Sequence, residues 1–282
     1  MQSVQDTFKL VNGVSIPCVG FGTWRTPDGE VAVSSVEAAL DAGYRHIDTA
    51  AAYGNEKSVG IAIKKSGIPR KDIFVTSKLH NTDHGYENTL RAFEKTLAEL
   101  DMDYLDLYLI HWPNPIFFRE RWKEANAGSW KAFEELYNDG KIKAIGVSNF
   151  LEHHLEALLE SATIAPMVDQ LELHPQYVQR DAVNYCKDHR MIIEAWSPLI
   201  RGRLDHPLLH KLAEKYNKTP AQILLRWSIQ HGFLPLPKAS SAERMKENAD
   251  IFDFELSEED IEKMKVLEEF GRTGAHPDTA EF

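Results

Sequence analysis

Residues 43–56, GYRHIDTAAAYGNE, decide how the chain is read. An apolar run closes on Asp48, three alanines follow, and Tyr53 stands five residues past the carboxylate. That is the pattern of a strand leaving a buried sheet, with Ala50, Ala51 and Ala52 keeping bulk away so that something can approach closely. Working outward, RHIDTA is one of eight strand-like runs. The others are CVGFGTW, IFVTSKL, LDLYLIHW, IKAIGVSNF, MVDQLEL, MIIEAWSP and FLPLPKA. Amphipathic segments alternate with them. Val33, Val36 and Leu40 share one helical face, as do Leu90, Phe93, Leu97 and Leu100, then Leu151, Leu155, Leu158 and Leu159, then Met245, Ala249 and Phe252. The runs end near Thr23, Asp48, Lys78, His111, Ser148, Gln170, Trp196 and Lys238, at gaps of 25, 30, 33, 37, 22, 26 and 42 residues. Each gap suits a strand, a helix and two loops.

Eight such units in 282 residues, with no Gly/Pro/Ser-rich linker, predict a single α/β domain over residues 1–282, a (β/α)8 TIM barrel. FKLVNGVSIP, with Asn12-Gly13 as its turn, predicts an N-terminal hairpin closing the bottom, and an extra helix and tail are expected at the C-terminus. A doubly wound dinucleotide fold is the rival. GFGTWR places Arg25 where the third glycine of its phosphate-binding turn should be, so that fingerprint is absent. The formal charge of −11 disfavours nucleic acid as a partner, since polyanion affinity rests on Lys and Arg. Two cysteines, Cys18 and Cys186, give no disulfide framework or thiolate metal set. The N-terminus MQSVQDTFKL has no basic and apolar leader pattern, and no apolar run approaches the ~20 residues that span a bilayer. A cytoplasmic location without membrane attachment is expected.

In a barrel of this kind the strands deliver their C-terminal residues to one mouth. Asp48, Lys78 and His111 end the second, third and fourth strands, and Tyr53 follows the second. Taken singly each has a plainer role: a cap, a surface charge, a core histidine, a packed aromatic. Their coincidence at strand ends gives them a chemistry. A phenol is a poor acid at neutral pH, but a neighbouring ammonium stabilises its phenolate. Lys78 can supply that charge, Asp48 can hold Lys78, and His111 can orient a carbonyl oxygen. Such a site protonates oxygen while electrons arrive at carbon, which calls for a hydride donor. No HxH or HExxH pattern surrounds His111, so no metal is expected.

The stretch GYRHIDTAAAYGNE, together with IKAIGVSNF, WSPL, LRWSIQHGFLPLPKASSAERMKENADIFDFEL and the tail GRTGAHPDTAEF, resembles the aldo-keto reductases over essentially the whole chain. Within that family it looks most like the bacterial branch of 2,5-diketo-D-gluconate, glyoxal and prostaglandin F synthase-like reductases. The resemblance implies a catalytic tetrad of Asp48, Tyr53, Lys78 and His111, NADPH as cofactor with NADH as a weaker alternative, a small carbonyl as substrate, and a monomer. By the same resemblance Ser148, Asn149 and Gln170 hold the nicotinamide amide and Trp196 stacks on its ring. Thr23, Asp48, Ser197, Leu199 and Arg203 complete the nicotinamide and pyrophosphate contacts, and Arg201 belongs to the same loop. Lys238, Ser240, Arg244, Glu247 and Asn248 form the adenosine end. Many relatives read PKS where this chain has Pro237-Lys238-Ala239, so one hydroxyl toward the 2′-phosphate is missing. Trp24, Tyr53, His111, Trp112 and the aromatic stretch Pro113 to Trp130 are expected to wall the substrate pocket, with His276 and Pro277 closing it. The alternative is a catalytically weak cofactor-binding or structural member of the family, which the intact tetrad disfavours.

Overall fold

The computed structural model describes residues 1–282. The hairpin pairs β1 (Thr7–Lys9) antiparallel with β2 (Ser15–Pro17), and Gly13 in its turn sits at φ 86°, where a side chain would be strained. Asn12 at the tip donates to the Lys143 carbonyl at 2.9 Å. That carbonyl lies just before a barrel strand, so the hairpin covers the end where the strands begin.

The parallel strands follow in chain order around the sheet: β3 (Phe21–Gly22), β4 (His46–Asp48), β5 (Phe74–Leu79), β6 (Leu107–Ile110), β7 (Ile145–Ser148), β8 (Val168–Glu172), β9 (Ile192–Trp196) and β10 (Leu234–Pro235). Nearly every residue in them is buried, as expected of a parallel sheet covered outside by helices and filled within. The ring closes where Gly20 and Gly22 donate their N–H groups to the carbonyls of Pro235 and Pro237, each at 3.1 Å. In parallel register the return donor to the Gly20 carbonyl would be residue 237, a proline without an N–H, so this seam is fastened from one side. A Cβ at Gly20 would stand 2.5 Å from Leu236 Cδ2 and 2.7 Å from His46 Nδ1. Crowding inside the ring, rather than phosphate binding, explains the GFG glycines.

The helices are α1 (Glu30–Asp41), α2 (Glu56–Lys65), α3 (Tyr86–Leu100), α4 (Trp122–Asn138), α5 (Glu152–Leu159), α6 (Arg180–Asp188), α7 (Pro207–Tyr216), α8 (Pro220–Gln230), α9 (Ala242–Ala249) and α10 (Glu258–Met264). Val33, Val36 and Leu40 are buried on α1, as are Phe93, Leu97 and Leu100 on α3. Three details differ from the sequence reading. The 42-residue gap before the last strand holds two helices, because Asn217 ends α7 in the left-handed region and Thr219 restarts the chain with a capping box and Pro220. Phe252 falls beyond the end of α9. Trp130 lies on α4 in the core, its Nε1–H donating to the Ile164 carbonyl at 2.9 Å, so it walls no pocket. After α10 a 3-10 turn, Lys265–Phe270, leads into the tail. No helix is long and apolar enough to cross a membrane.

Candidate active site

Register sets the geometry of the mouth. Asp48 on β4 lies level with Thr76 on β5, so Lys78 stands one pleat repeat higher on the same face. The lysine's four-carbon arm spans that step. Its Nζ donates to both Asp48 carboxylate oxygens, at 2.7 and 2.8 Å, and to the Thr49 carbonyl at 2.8 Å. The ammonium is fully buried. Burial alone would drive off its proton, but the negative Asp48 and the nearby Tyr53 outweigh that and hold Lys78 charged.

Tyr53 rides on a 3-10 turn, Ala51–Tyr53, which Gly54 ends at φ 67°. The turn brings the phenol over the strand ends, with its oxygen 3.4 Å from Lys78 Nζ. The small residues of the AAA run thus form the turn itself. The sequence leads one to expect that Lys78 makes the phenol more acidic. In the structure desolvation is larger and raises the Tyr53 pKa, with Lys78 pulling the other way and Asp48 adding to the rise. His111 closes the fourth side, its ring edge-on to Tyr53 at 5.7 Å between centroids. Burial, then the charge of Lys78, pushes its pKa well below 6.5, so the imidazole is neutral at pH 7 and can donate an N–H to an oxygen.

The expected nicotinamide residues meet around the next strands. Ser148 Oγ donates to the Gln170 carbonyl at 2.8 Å, and Asn149 Nδ2 donates to the His111 carbonyl at 2.9 Å and to Ser148 Oγ at 3.1 Å. Asn149 adopts φ 65°, a left-handed conformation that asparagine tolerates better than most residues. Its Oδ1 accepts the Trp196 indole N–H at 2.8 Å, which locks a ring that remains half-buried. Gln170 gives one amide hydrogen to Asp48, at 2.8 Å, and the other to Glu194, at 2.7 Å. Both neighbours are carboxyl groups, so the NH2 side must face them and the amide oxygen is left for a ligand. An acceptor beside a pinned, half-buried indole fits a nicotinamide carboxamide and its ring.

The basic residues that an acidic chain would need for an anionic cofactor also gather here. Arg25 and Arg201 lie over the Trp24 ring, at 4.3 and 5.0 Å. Ser197, Ile200 and Arg201 all have positive φ, so the loop carrying Leu199 and Arg203 is locally strained. Lys238 Nζ donates to the Arg25 carbonyl at 3.2 Å, and Arg244 is exposed on the first turn of α9. Thr23 is buried, with its hydroxyl on the Asp48 carbonyl at 3.0 Å. Glu247 is engaged by the Thr219 hydroxyl at 2.7 Å, Asn248 is buried, and Ser240 is exposed. Ala239 is 7% exposed, and Ser241 caps α9 by accepting the Arg244 N–H.

Toward the substrate side, Trp112 is buried against the Phe282 ring, edge-on at 4.9 Å, while Trp24 belongs to the arginine stack. The tail lies along the loop after β6: Ile116 N–H donates to the Phe282 carbonyl at 3.1 Å and Arg119 to the Ala280 carbonyl. At its root, Thr273 and Gly274 donate backbone N–H groups to the Glu172 carboxylate at 2.7 and 3.0 Å. Further on, His153 and His154 meet Asp278 through Nε2 at 2.9 and 3.0 Å. His154 Nδ1 accepts the Leu151 N–H, so in the neutral ring the proton sits on Nε2, which lies 3.0 Å from Asp278 Oδ1 without the geometry of a hydrogen bond. His153 makes the hydrogen bond to Asp278, and with its proton on Nε2 the neutral His154 turns no lone pair toward that carboxylate to complete a metal ligand set. Sequence reasoning passed over Glu194, His46, Glu172 and Arg25. A carboxylate in the middle of MIIEAWSP was the one available signal.

Residues 18–269 match the sequence profile described as the aldo/keto reductase family. A glyoxal reductase of Bacillus subtilis is 52% identical over 281 residues, covering 99% of both chains. Among solved structures, an aldo/keto reductase from Brucella melitensis is 47% identical with a TM-score of 0.89, over 95% of this chain and 99% of that one. A mutant of Gox0644 in complex with NADPH is 38% identical with a TM-score of 0.89, over 99% of each chain.

Proposed function

The chain belongs to the aldo/keto reductase family, and on that premise we propose that it reduces small aldehydes and ketones, the dicarbonyls glyoxal and methylglyoxal among them, to alcohols with NADPH. The observation that carries the reading is a fully buried ammonium, Lys78, within hydrogen-bond reach of both a carboxylate and a phenol at the rim of the barrel. Bound NADPH supplies the hydride that the carbonyl carbon accepts. His111, kept neutral by burial, donates an N–H to the carbonyl oxygen and aims it at Tyr53. Tyr53 gives that oxygen its proton, and the phenolate left behind is stabilised by Lys78, whose charge Asp48 holds in place.

Gln170, Asn149, Ser148 and Trp196 would hold the nicotinamide end, and Lys238 and Arg244 the 2′-phosphate. The same reading takes the chain as a cytoplasmic monomer, with size-exclusion chromatography as the check on its oligomeric state. The main test is NADPH oxidation under steady-state conditions with methylglyoxal, glyoxal, a diketo-gluconate and an aromatic aldehyde. Saturable turnover with at least one dicarbonyl is expected. NADPH binding without turnover on any of them would favour a cofactor-binding protein that does no chemistry.

A further inference from the structure

Beneath the four residues at the mouth lies a second polar layer where barrels of this kind usually carry branched apolar side chains. Gln170 on β8 and Glu194 on β9 are level in the ladder and joined side chain to side chain at 2.7 Å. Gln170 also reaches Asp48 on β4, which stands four strands away in a ring of eight and so on the opposite wall. Glu194 is fully buried. Its Oε2 accepts from Gln170, while its Oε1 has no hydrogen-bond partner and lies 3.6 Å from His46 Nε2. A buried carboxyl left half-paired is expensive, and packing needs at this position would be met by any aliphatic residue.

We propose that Glu194 is a positioning residue for hydride transfer: by taking one of Gln170's two amide hydrogens it fixes the amide oxygen toward the cofactor's carboxamide, and it sets a titratable carboxyl behind Asp48 and Lys78. The inference rests on the proposed carbonyl reduction. Without Glu194 the Gln170 amide is held by its single bond to Asp48 and can swing about it, so that its oxygen is no longer aimed at the carboxamide. With it, one hydrogen is spent across the barrel on Asp48 and the other on the neighbouring strand, so the amide is held at two points with its oxygen left free.

The charge state of Glu194 then matters to Tyr53. Burial, followed by repulsion from Asp48, pushes its carboxyl up to about 8, with Gln170 and Lys78 pulling it back down. The groups that face it are His46 and Asp48 on β4, Lys78 on β5, and Gln170 on β8. Asp169, the preceding residue of β8, lies against the Cys186 thiol, and burial pushes its carboxyl well up from the usual carboxylate range. At pH 7 Glu194 is neutral and the Lys78 charge is balanced by Asp48 alone. Above about pH 8 a second negative charge appears behind Lys78, the tyrosinate left by proton donation is less well stabilised, and reduction slows.

Two variants test this. Glu194→Met removes the acceptor at similar volume, and calorimetric titration with NADPH should show affinity weakened about tenfold, the worth of one hydrogen bond. Glu194→Gln removes the titration. The fall in kcat/KM above about pH 8 should then move up toward the range where Tyr53 itself ionises, each profile being scaled to its own plateau. An NADPH affinity within twofold of wild type in Glu194→Met overturns the proposal, as does a basic limb that stays put in Glu194→Gln. If Glu194→Met does not fold, the pH profile alone decides. Wild type that binds NADPH but reduces no carbonyl defeats the functional reading instead, and the titration still judges Glu194. Wild type that binds no NADPH defeats both.

Discussion

Replacing Tyr53 by phenylalanine removes one oxygen and leaves the 3-10 turn, the edge-on contact with His111 and the Lys78–Asp48 pair in place. NADPH binding should stay near wild type, while carbonyl reduction falls at least ~100-fold, the usual cost of losing a positioned acid. Stopped-flow hydride transfer from a preformed complex would isolate that step, and retention of most of the rate would show that another group delivers the proton. These side chains were legible in the sequence because each ends a strand-like run, where a barrel gathers what it uses. Glu194 was not legible for a related reason. It sits inside its run rather than at the end, and nothing in one strand's sequence says which residue stands across the ring.

Elements carry a different kind of prediction, because there the limits are steric. A Cβ at Gly60 on α2 would stand 2.1 Å from the Leu100 carbonyl oxygen at the end of α3, and a backbone atom cannot step aside as a side chain can. Gly60→Ala should therefore cost about 3 kcal/mol, the upper end for overpacking, read as a lower urea midpoint with an unchanged slope. Near α9 the question is chemical. Ala239→Ser would place a hydroxyl beside Lys238 and should raise the NADPH-to-NADH affinity ratio about tenfold or more if it reaches the 2′-phosphate. The site is 7% exposed and Ser241 is already capping the helix, so calorimetry with both nucleotides must show whether Ser240 has taken that role. An unchanged ratio would mean the missing hydroxyl is immaterial. Helix faces were readable from their period, whereas the break between α7 and α8 was not read, although Asn217, Thr219 and Pro220 spell it out. The polar stretch 214–220, EKYNKTP, separates the buried faces of the two helices and looks like an ordinary helix-to-strand loop, which is why two helices share the interval that one was expected to fill.

The molecule as a whole keeps several histidines neutral inside. Burial pulls His46 and His154 down to about 3 and His84 to about 4. Folded values below the usual 6.5 give stability that is complete above pH 6.5 and lost as pH falls, roughly 2 kcal/mol for each histidine by pH 5. Glu194, pushed up to about 8, and Asp169, also raised, act with the opposite sign: their stabilisation grows as pH falls from 8 toward 4.5. The two sets oppose each other between pH 7 and 5, so urea stability should fall less there than the histidines alone would make it, and more steeply below about 4.5, where the Glu194 gain has ended and carboxylates held low by their partners, such as Asp260, also begin to take up protons. A steady decline starting at pH 6.5 would mean that the buried acids are ionised. The barrel itself was readable from eight spaced runs, but the seam was not, since it depends on which two glycines face which two prolines. Gly20 and Pro235 are 215 positions apart in the chain (235 − 20), and that buckle, with its two one-way bonds, is the most costly contact to close and among the first to breathe. Thr23 and Lys238 flank it, so a dinucleotide lying between them would act as a stitch through the open edge. The amide protons of Gly20 and Gly22 should exchange with solvent faster than those of β5 and β6, and slow when NADPH is present: for this barrel, holding its cofactor and keeping its hoop shut would be one event.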